Sequence, residues 1–513
     1  MSLNLRIRQF FYALMVLVIV VVNVTRFIDL DKSPPGFHVD EMGAAVTSYC
    51  LATEGVDAKG ISYPVFSDLN YGSPKPPTYI YPMALWLKVF GLSRASVRAL
   101  SAMFIVLSIL GLFIFGRLTV GWSYGLWAAF FASISPWIWT FSRIGYESSS
   151  CVTYLIWAMV FIACGPRTLY MIAAGFFLSC AMYAYPPMRV HVPLMLPFLI
   201  WYGTKKLNLK FKHFSIFFLS LFAFSIPLII KVLNGSLQQR FNELSIFAPE
   251  YWKTLGINHP GVWDYAYLFF NNMLKHFQPN FLFLHGDQAI VHSTQFSGEI
   301  CWLGILTLIA GIIWILFKLL PCVSYPRKRV SRISEVNSSG NLDEHKTGCP
   351  TKTFGHDNTK KNPSPLFLFA NIVIGIVPAA LTYDGSPHAL RSIGAWPFVI
   401  LTLALIMYTI SRDWPIMLPL GVITGMLFSF FYLKDYFQVY PKKSWGMFNT
   451  WSTEQAQAAK SEKDWLKFMI VNYGKDLNVR YYLMEREGVG CFESATIWEK
   501  INQKVITELK KKP

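Results

Sequence analysis

Residues 11–28 read FYALMVLVIVVVNVTRFI. A helix needs about 20 predominantly apolar residues to cross the hydrocarbon core of a bilayer, and this run approaches that length without a charge before Arg26. Arg6 and Arg8 precede it, and it closes at Arg26 and Asp29 without a small-x-small cleavage pattern, so an uncleaved signal anchor is expected. Comparable windows follow at 97–117, 122–140, 150–165, 169–185, 187–203, 213–233, 300–320, 366–383, 389–410 and 414–433. Counted with the first, at 10–29, they predict an all-α polytopic membrane protein of about eleven spans, within a range of about 10 to 13.

Composition agrees. Of the 513 residues, 53% are hydrophobic and only 15% charged, and the mean hydropathy is +0.38, which excludes an ordinary soluble enzyme. The formal charge of +17 does not point to nucleic acid, because much of the basic excess sits in short loops between apolar windows rather than on one face. None of the eight cysteines is spaced C-x-x-C, and several fall inside apolar windows, so neither a disulfide framework nor a zinc cluster is expected.

Basic loops set orientation. From a cytoplasmic N-terminus, Lys205/Lys206/Lys210/Lys212, Arg327/Lys328/Arg329/Arg332 and Lys360/Lys361 all fall inside if Thr78–Phe90 does not cross. That segment is short, contains Pro82 and Lys88, and is expected as a juxtamembrane or re-entrant helix. The domain reading is then a transmembrane catalytic unit, 1–433, and a small exterior tail, 434–513, with room for an α/β cap. Within the first unit, 30–96 and 234–299 are exterior loops. The polar stretch 321–364 is a cytoplasmic loop with the composition of a disordered segment, and its His345, Cys349 and His356 lack a metal-ligand spacing.

The exterior loops hold the chemistry. After the first window comes SPPGFHVDEMGAAVTSYCLATEGVDAKGISYPVF, residues 33–66, where Asp40 and Glu41 lie near the membrane exit. A carboxylate there suits a catalytic base, and an acidic pair favoured by a helix N-terminus is the alternative. The proline-rich exit, the Asp-Glu pair, Glu-Gly-x-Asp-x-x-Gly (Glu54 to Gly60), Lys-Pro-Pro (Lys75 to Pro77), Phe-Gly-x-Ser (Phe90 to Ser93) and Val97-Arg98 occur in order. Together they resemble the first module of GT-C glycosyltransferases, nearest the protein O-mannosyltransferase and aminoarabinose transferase groups.

The resemblance implies a donor carried on a polyprenyl phosphate, a membrane setting, and an acceptor that is a lipid, a glycan or a protein. It implies Asp40 as the base that deprotonates the acceptor, Glu41 as its support, and Lys75 as a contact to the carrier phosphate. The sequence also departs from both groups. The aminoarabinose branch has an Arg and a Glu where this chain has Gly43 and Pro74, and the mannosyltransferase branch has His where Lys75 stands, so neither sugar specificity carries over.

Three further cations are candidate phosphate contacts at outer helix ends. Arg143 follows Ser135-Pro136-Trp137 and Phe141-Ser142, and Glu147, four residues on, makes a helix-end ion pair its alternative role. Arg189 ends Tyr185-Pro186-Pro187-Met188-Arg189, and Arg391 follows Asp384-Gly385-Ser386-Pro387-His388; either can instead be a snorkelling anchor. In the second exterior loop, HFQPNFLFLHGDQAIVHSTQFSGE (276–299) is expected to lie at the interface, with His285, Asp287 and His292 turned toward a cavity. With His388 they are candidate substrate or metal contacts; no cofactor is certain, and a divalent metal is left open.

A secondary transporter and a polymerase or ligase of lipid-linked glycans are the rival classes. No paired inverted repeats favour the first. Asp29-Leu30-Asp31 has the Asp-x-Asp form of a nucleotide-sugar enzyme but no nucleotide-binding domain around it.

Overall fold

The computed structural model describes residues 3–67, 74–235, 237, 239–319, 363–448, 476–510 and a few positions between 453 and 465. The stretch 321–364 lies, except for residues 363 and 364, outside the described residues.

Every apolar window contains helix: α1 (Leu3–Thr25), α4 (Arg94–Thr119), α5 (Trp122–Ser133), α7 (Ser148–Ala163), α8 (Thr168–Ala184), α9 (Met188–Leu207), α10 (Phe211–Leu233), α14 (Trp302–Leu319), α15 (Pro365–Ala380), α16 (Trp396–Asp413) and α17 (Met417–Gln438). Among the described residues, six helical stretches are long and apolar enough to cross a membrane, and three more are shorter and apolar. The expectation of an all-α polytopic bundle therefore holds, and among the described residues there are only isolated β-bridges. One window is broken: 122–140 stops at Ser133 and restarts as α6 (Pro136–Phe141), since proline favours a helix's first turn and the residue before it is held extended.

The helices pack as α7 on α4 and α8, α8 on α10, α5 on α4 and α16, α15 on α9 and α16, and α1 on α5 and α17. The outer faces of α10 and α14 carry exposed Leu219, Phe222, Ile309, Ile312, Leu316 and Phe317, as lipid-facing helices must.

Between these spans lie α2 (Val39–Glu54), α3 (Pro77–Phe90), α11 (Gln239–Leu244), α12 (Pro249–Thr254), α13 (Val262–Lys275), a π-helical turn at Asn280–Leu284 and α18 (Tyr440–Lys443); the tail adds α19 (Asp476–Glu487) and α20 (Cys491–Lys510). Capping explains the limits of α2. His38 Nδ1 accepts the Asp40 N–H, the Glu41 carboxylate accepts the His38 N–H, and Gly55 stops the helix at φ 70°, a conformation that favours glycine.

A second apolar core, separate from that of the bundle, joins Phe37, Met42 and Val46 to Tyr79 and Met83 of α3 and to Tyr481, Met484, Ile501 and Val505 of the tail. Cys50 and Cys491 are disulfide-bonded across 441 residues of sequence, which corrects the expectation of no disulfide. Their pairing has no local spacing that a sequence can display. The tail is helical where described, rather than α/β, and shares its core with the first loop.

The segments assigned to the exterior meet at one end of the bundle. Ile246 N–H donates to Leu381 O, Ala389 N–H to Asp287, and the Tyr440 hydroxyl to Ile290 O. The opposite end carries Lys318 and Asp413, paired at 3.2 Å.

Candidate active site

Asp40 stands in the first turn of α2, where the helix dipole favours a negative charge. Its carboxylate accepts from Lys75 Nζ at 3.0 Å, and its side chain remains 49% exposed. Lys75 is delivered by the Glu54–Gly60 turn. Buried Asp57 accepts from the N–H groups of Lys59 and Ile61 and from Ser67 Oγ, and Ser67 exchanges both backbone hydrogen bonds with Lys75. A second carboxylate, Glu147 at the start of α7, lies 4.0 Å from Lys75 Nζ. Burial alone would lower the lysine's pKa, but the two carboxylates outweigh it and push it up to about 12, so the ammonium stays charged at any physiological pH.

Glu41 is neighbour to Asp40 and faces a different environment. It is fully buried, pairs in a two-point contact with Arg98 at 2.9 Å on each oxygen, and accepts the Gly145 N–H at 2.7 Å. Burial pushes its carboxyl up, and Arg98 with these N–H donors more than reverses the shift, leaving it below the usual range. Arg98 also donates to the carbonyls of Leu30, Pro34 and Gly36. The pair therefore clamps the chain between α1 and α2 onto α4. The sequence motif contained Arg98 but gave it no role.

The three candidate arginines separate. Arg143 is buried and donates to the carbonyls of Thr25, Arg26, Ile28, Asp29 and Ser33, with its guanidinium over the rings of Tyr436 and Phe437. Neither the expected phosphate contact nor a pair with Glu147 matches that environment; Glu147 turns to Lys75 instead. Arg391 is held by both oxygens of Asp384, with Nη2 to Oδ2 at 3.1 Å, and donates to Thr382 Oγ1 at 2.8 Å. Arg189 is partly buried and donates to Met182 O at 3.3 Å. Tyr185 links two of these regions: its hydroxyl, raised by burial first, also feels the charges of Arg391, Glu147 and Asp40.

The second loop brings Asp287, His292 and His388 together, with His292 Nδ1 3.2 Å and His388 Nδ1 3.7 Å from Asp287 Oδ2. His285 is exposed and does not join them. Sequence reading missed His276, whose Nδ1 meets Asn272 O at 2.8 Å and whose Nε2 accepts the His388 N–H at 3.0 Å.

Below the Lys75 turn an apolar groove of about 200 Å³ is lined by Val65, Pro77, Thr78, Phe176, Ser179, Cys180, Tyr183 and Phe224. It starts two residues past Lys75 and runs between α8 and α10.

A helical bundle with charged side chains gathered at one end is the class that fold and site define. Residues 74–230 match the model of the family described as dolichyl-phosphate-mannose-protein mannosyltransferase, which bears out the GT-C resemblance over the stretch holding Lys75, Arg98, Arg143, Glu147 and Arg189. No curated protein matches. Among solved structures, the oligosaccharyltransferase of Archaeoglobus fulgidus, tethered with an acceptor peptide, is similar at 12% identity and a TM-score of 0.46, over 92% of this chain and 59% of that one. ArnT from Cupriavidus metallidurans, bound to undecaprenyl phosphate, is similar at 13% identity and a TM-score of 0.46, over 95% of this chain and 74% of that one. This chain thus spans well under two thirds of the archaeal enzyme's length.

Proposed function

We propose that this protein is a membrane glycosyltransferase that moves a sugar from a polyprenyl-phosphate carrier to an acceptor on the non-cytoplasmic face. The observation that carries the reading is the Asp40–Lys75 pair: a half-exposed carboxylate 3.0 Å from a lysine that is itself 4% exposed. The family match over 74–230 supports the donor class, and the groove beside Lys75 suits an isoprenoid tail.

In this reading the carrier phosphate draws the Lys75 ammonium from Asp40, and a charge-assisted contact holds it. The acceptor oxygen attacks the anomeric carbon through an oxocarbenium-like state while the carbon–oxygen bond to phosphate breaks. Asp40 takes the acceptor's proton, and the phosphate leaves with the bonding electron pair beside Lys75. Glu147 keeps a counter-charge near the lysine in both stages. The Cys50–Cys491 disulfide, which ties the helix of Asp40 to the tail, supports the non-cytoplasmic side, since disulfides persist in oxidising compartments.

Purified protein with radiolabelled donor tests the class. Release of free polyprenyl phosphate together with labelled acceptor is expected. Turnover confined to a diphosphate carrier would favour a glycan polymerase or ligase, and movement of intact donor across a vesicle without release would favour a transporter.

A further inference from the structure

We propose that Asp287, His292 and His388 form a binding site for one first-row divalent cation of the zinc class, with an open coordination position. The site does not depend on the transfer reaction above.

Asp287 Oδ2 lies 3.2 Å from His292 Nδ1 and 3.7 Å from His388 Nδ1, and all three ligand atoms fall within 4.8 Å of one another. An ion with bonds of about 2.0–2.1 Å in a tetrahedral arrangement sets its ligands roughly 3.3–3.4 Å apart. The two separations from Asp287 are near the spacing such an ion requires, and the two imidazoles lie within 4.8 Å of each other. Two imidazoles and one carboxylate suit zinc and its neighbours rather than magnesium or calcium, which favour all-oxygen shells.

The surroundings hold the ligands in place. Asp287 Oδ1 accepts the Ala289 N–H at 2.8 Å and Oδ2 the Ala389 N–H at 2.7 Å, which fixes the carboxylate plane and leaves Oδ2 a second lone pair. His276 accepts the His388 N–H, anchoring that residue's backbone. Phe141 covers the His292 ring at 5.7 Å between centroids. Oriented ligands on separate segments, one loop at 287–292 and one at 388, make a closed bracket rather than a surface cluster.

Asp287 is 3% exposed, and among the described residues its ion-pair partners within 4.0 Å are the two imidazoles alone. Close by, buried Glu299 accepts the Asp287 N–H. A buried carboxylate paired only with imidazoles is what a dication compensates. The imidazole side chains are each 12% exposed, so water can fill the remaining position.

The test uses the full-length protein in detergent, stripped with a chelator and then dialysed against zinc or cobalt(II). About one ion per chain is expected by elemental mass spectrometry, with the visible bands of a low-coordinate cobalt(II) site. Asp287→Asn, His292→Gln and His388→Gln should each weaken retention at least tenfold, while His285→Gln and Asp40→Asn should leave it unchanged. Wild-type protein that retains no ion, or ligand variants that retain the wild-type amount, would overturn the site. If the ligand variants do not fold, the wild-type stoichiometry and cobalt spectrum decide alone. Because metal binding is read without donor or acceptor, its failure is separate from any failure of the transferase reading.

Discussion

Asp40 keeps half its side chain in solvent beside Lys75, while Glu41, one residue on, is sealed against Arg98. The pair was readable as carboxylates near a membrane exit, but their different roles depend on Arg98, 57 positions away from Glu41. Removing one partner of a buried ion pair strands the other, at a cost of about 3–5 kcal/mol. Glu41→Gln should therefore lower thermal stability in detergent markedly rather than act as a mild catalytic change, as a purely supporting carboxylate would imply. An unchanged unfolding temperature would remove the clamp. Lys75→Ala leaves Asp40 and Glu147 as neighbouring like charges and deprives a phosphate of its cation. A charge-assisted hydrogen bond contributes roughly 1.5–3 kcal/mol, so donor affinity should fall about tenfold or more. Donor titration with unaltered affinity would take Lys75 out of the site. Arg143 was not legible in this way, because the carbonyls that engage it belong to residues 25–33, more than a hundred positions earlier.

The helices themselves were the most legible part, because spans buried in lipid must be apolar throughout and so announce themselves by composition. The short α3, expected as a juxtamembrane or re-entrant helix, has Pro77 at its first turn and Leu85, Val89 and Phe90 exposed. What composition could not register is how α20 returns to α2. The Cys50–Cys491 bond and the Glu54 carboxylate capping the Cys491 N–H both depend on chain segments more than 430 residues apart. Closing so long a loop stabilises by about 2–5 kcal/mol in typical domains, so Cys50→Ser should lower thermal stability and free Cys491 to alkylate without reductant. A Cys491 that labels fully in the unreduced wild-type protein would contradict the pairing.

Over the whole molecule, the loops that carry candidate chemistry converge on one end of the bundle, while Lys205 and Lys206 end α9, Lys210 lies in the connection and Lys212 falls in the first turn of α10. Reporter fusions should give a cytoplasmic signal at residue 340 and an exterior signal at residue 513; an exterior signal at 340 would invert the placing of every site. The glycosyltransferase class could be read from the ordered motifs of the first 150 residues, whereas the sugar and the acceptor could not, since loop contacts rather than motifs decide them. The proposed transfer depends on Asp40 taking the acceptor's proton, which Asp40→Asn puts to the test. Asparagine keeps the size and some of the hydrogen bonding but cannot act as the base. Transfer from labelled polyprenyl-phosphate sugar by the folded variant should fall about a hundredfold or more, with donor binding retained. Near-normal transfer by folded Asp40→Asn protein would contradict the mechanism.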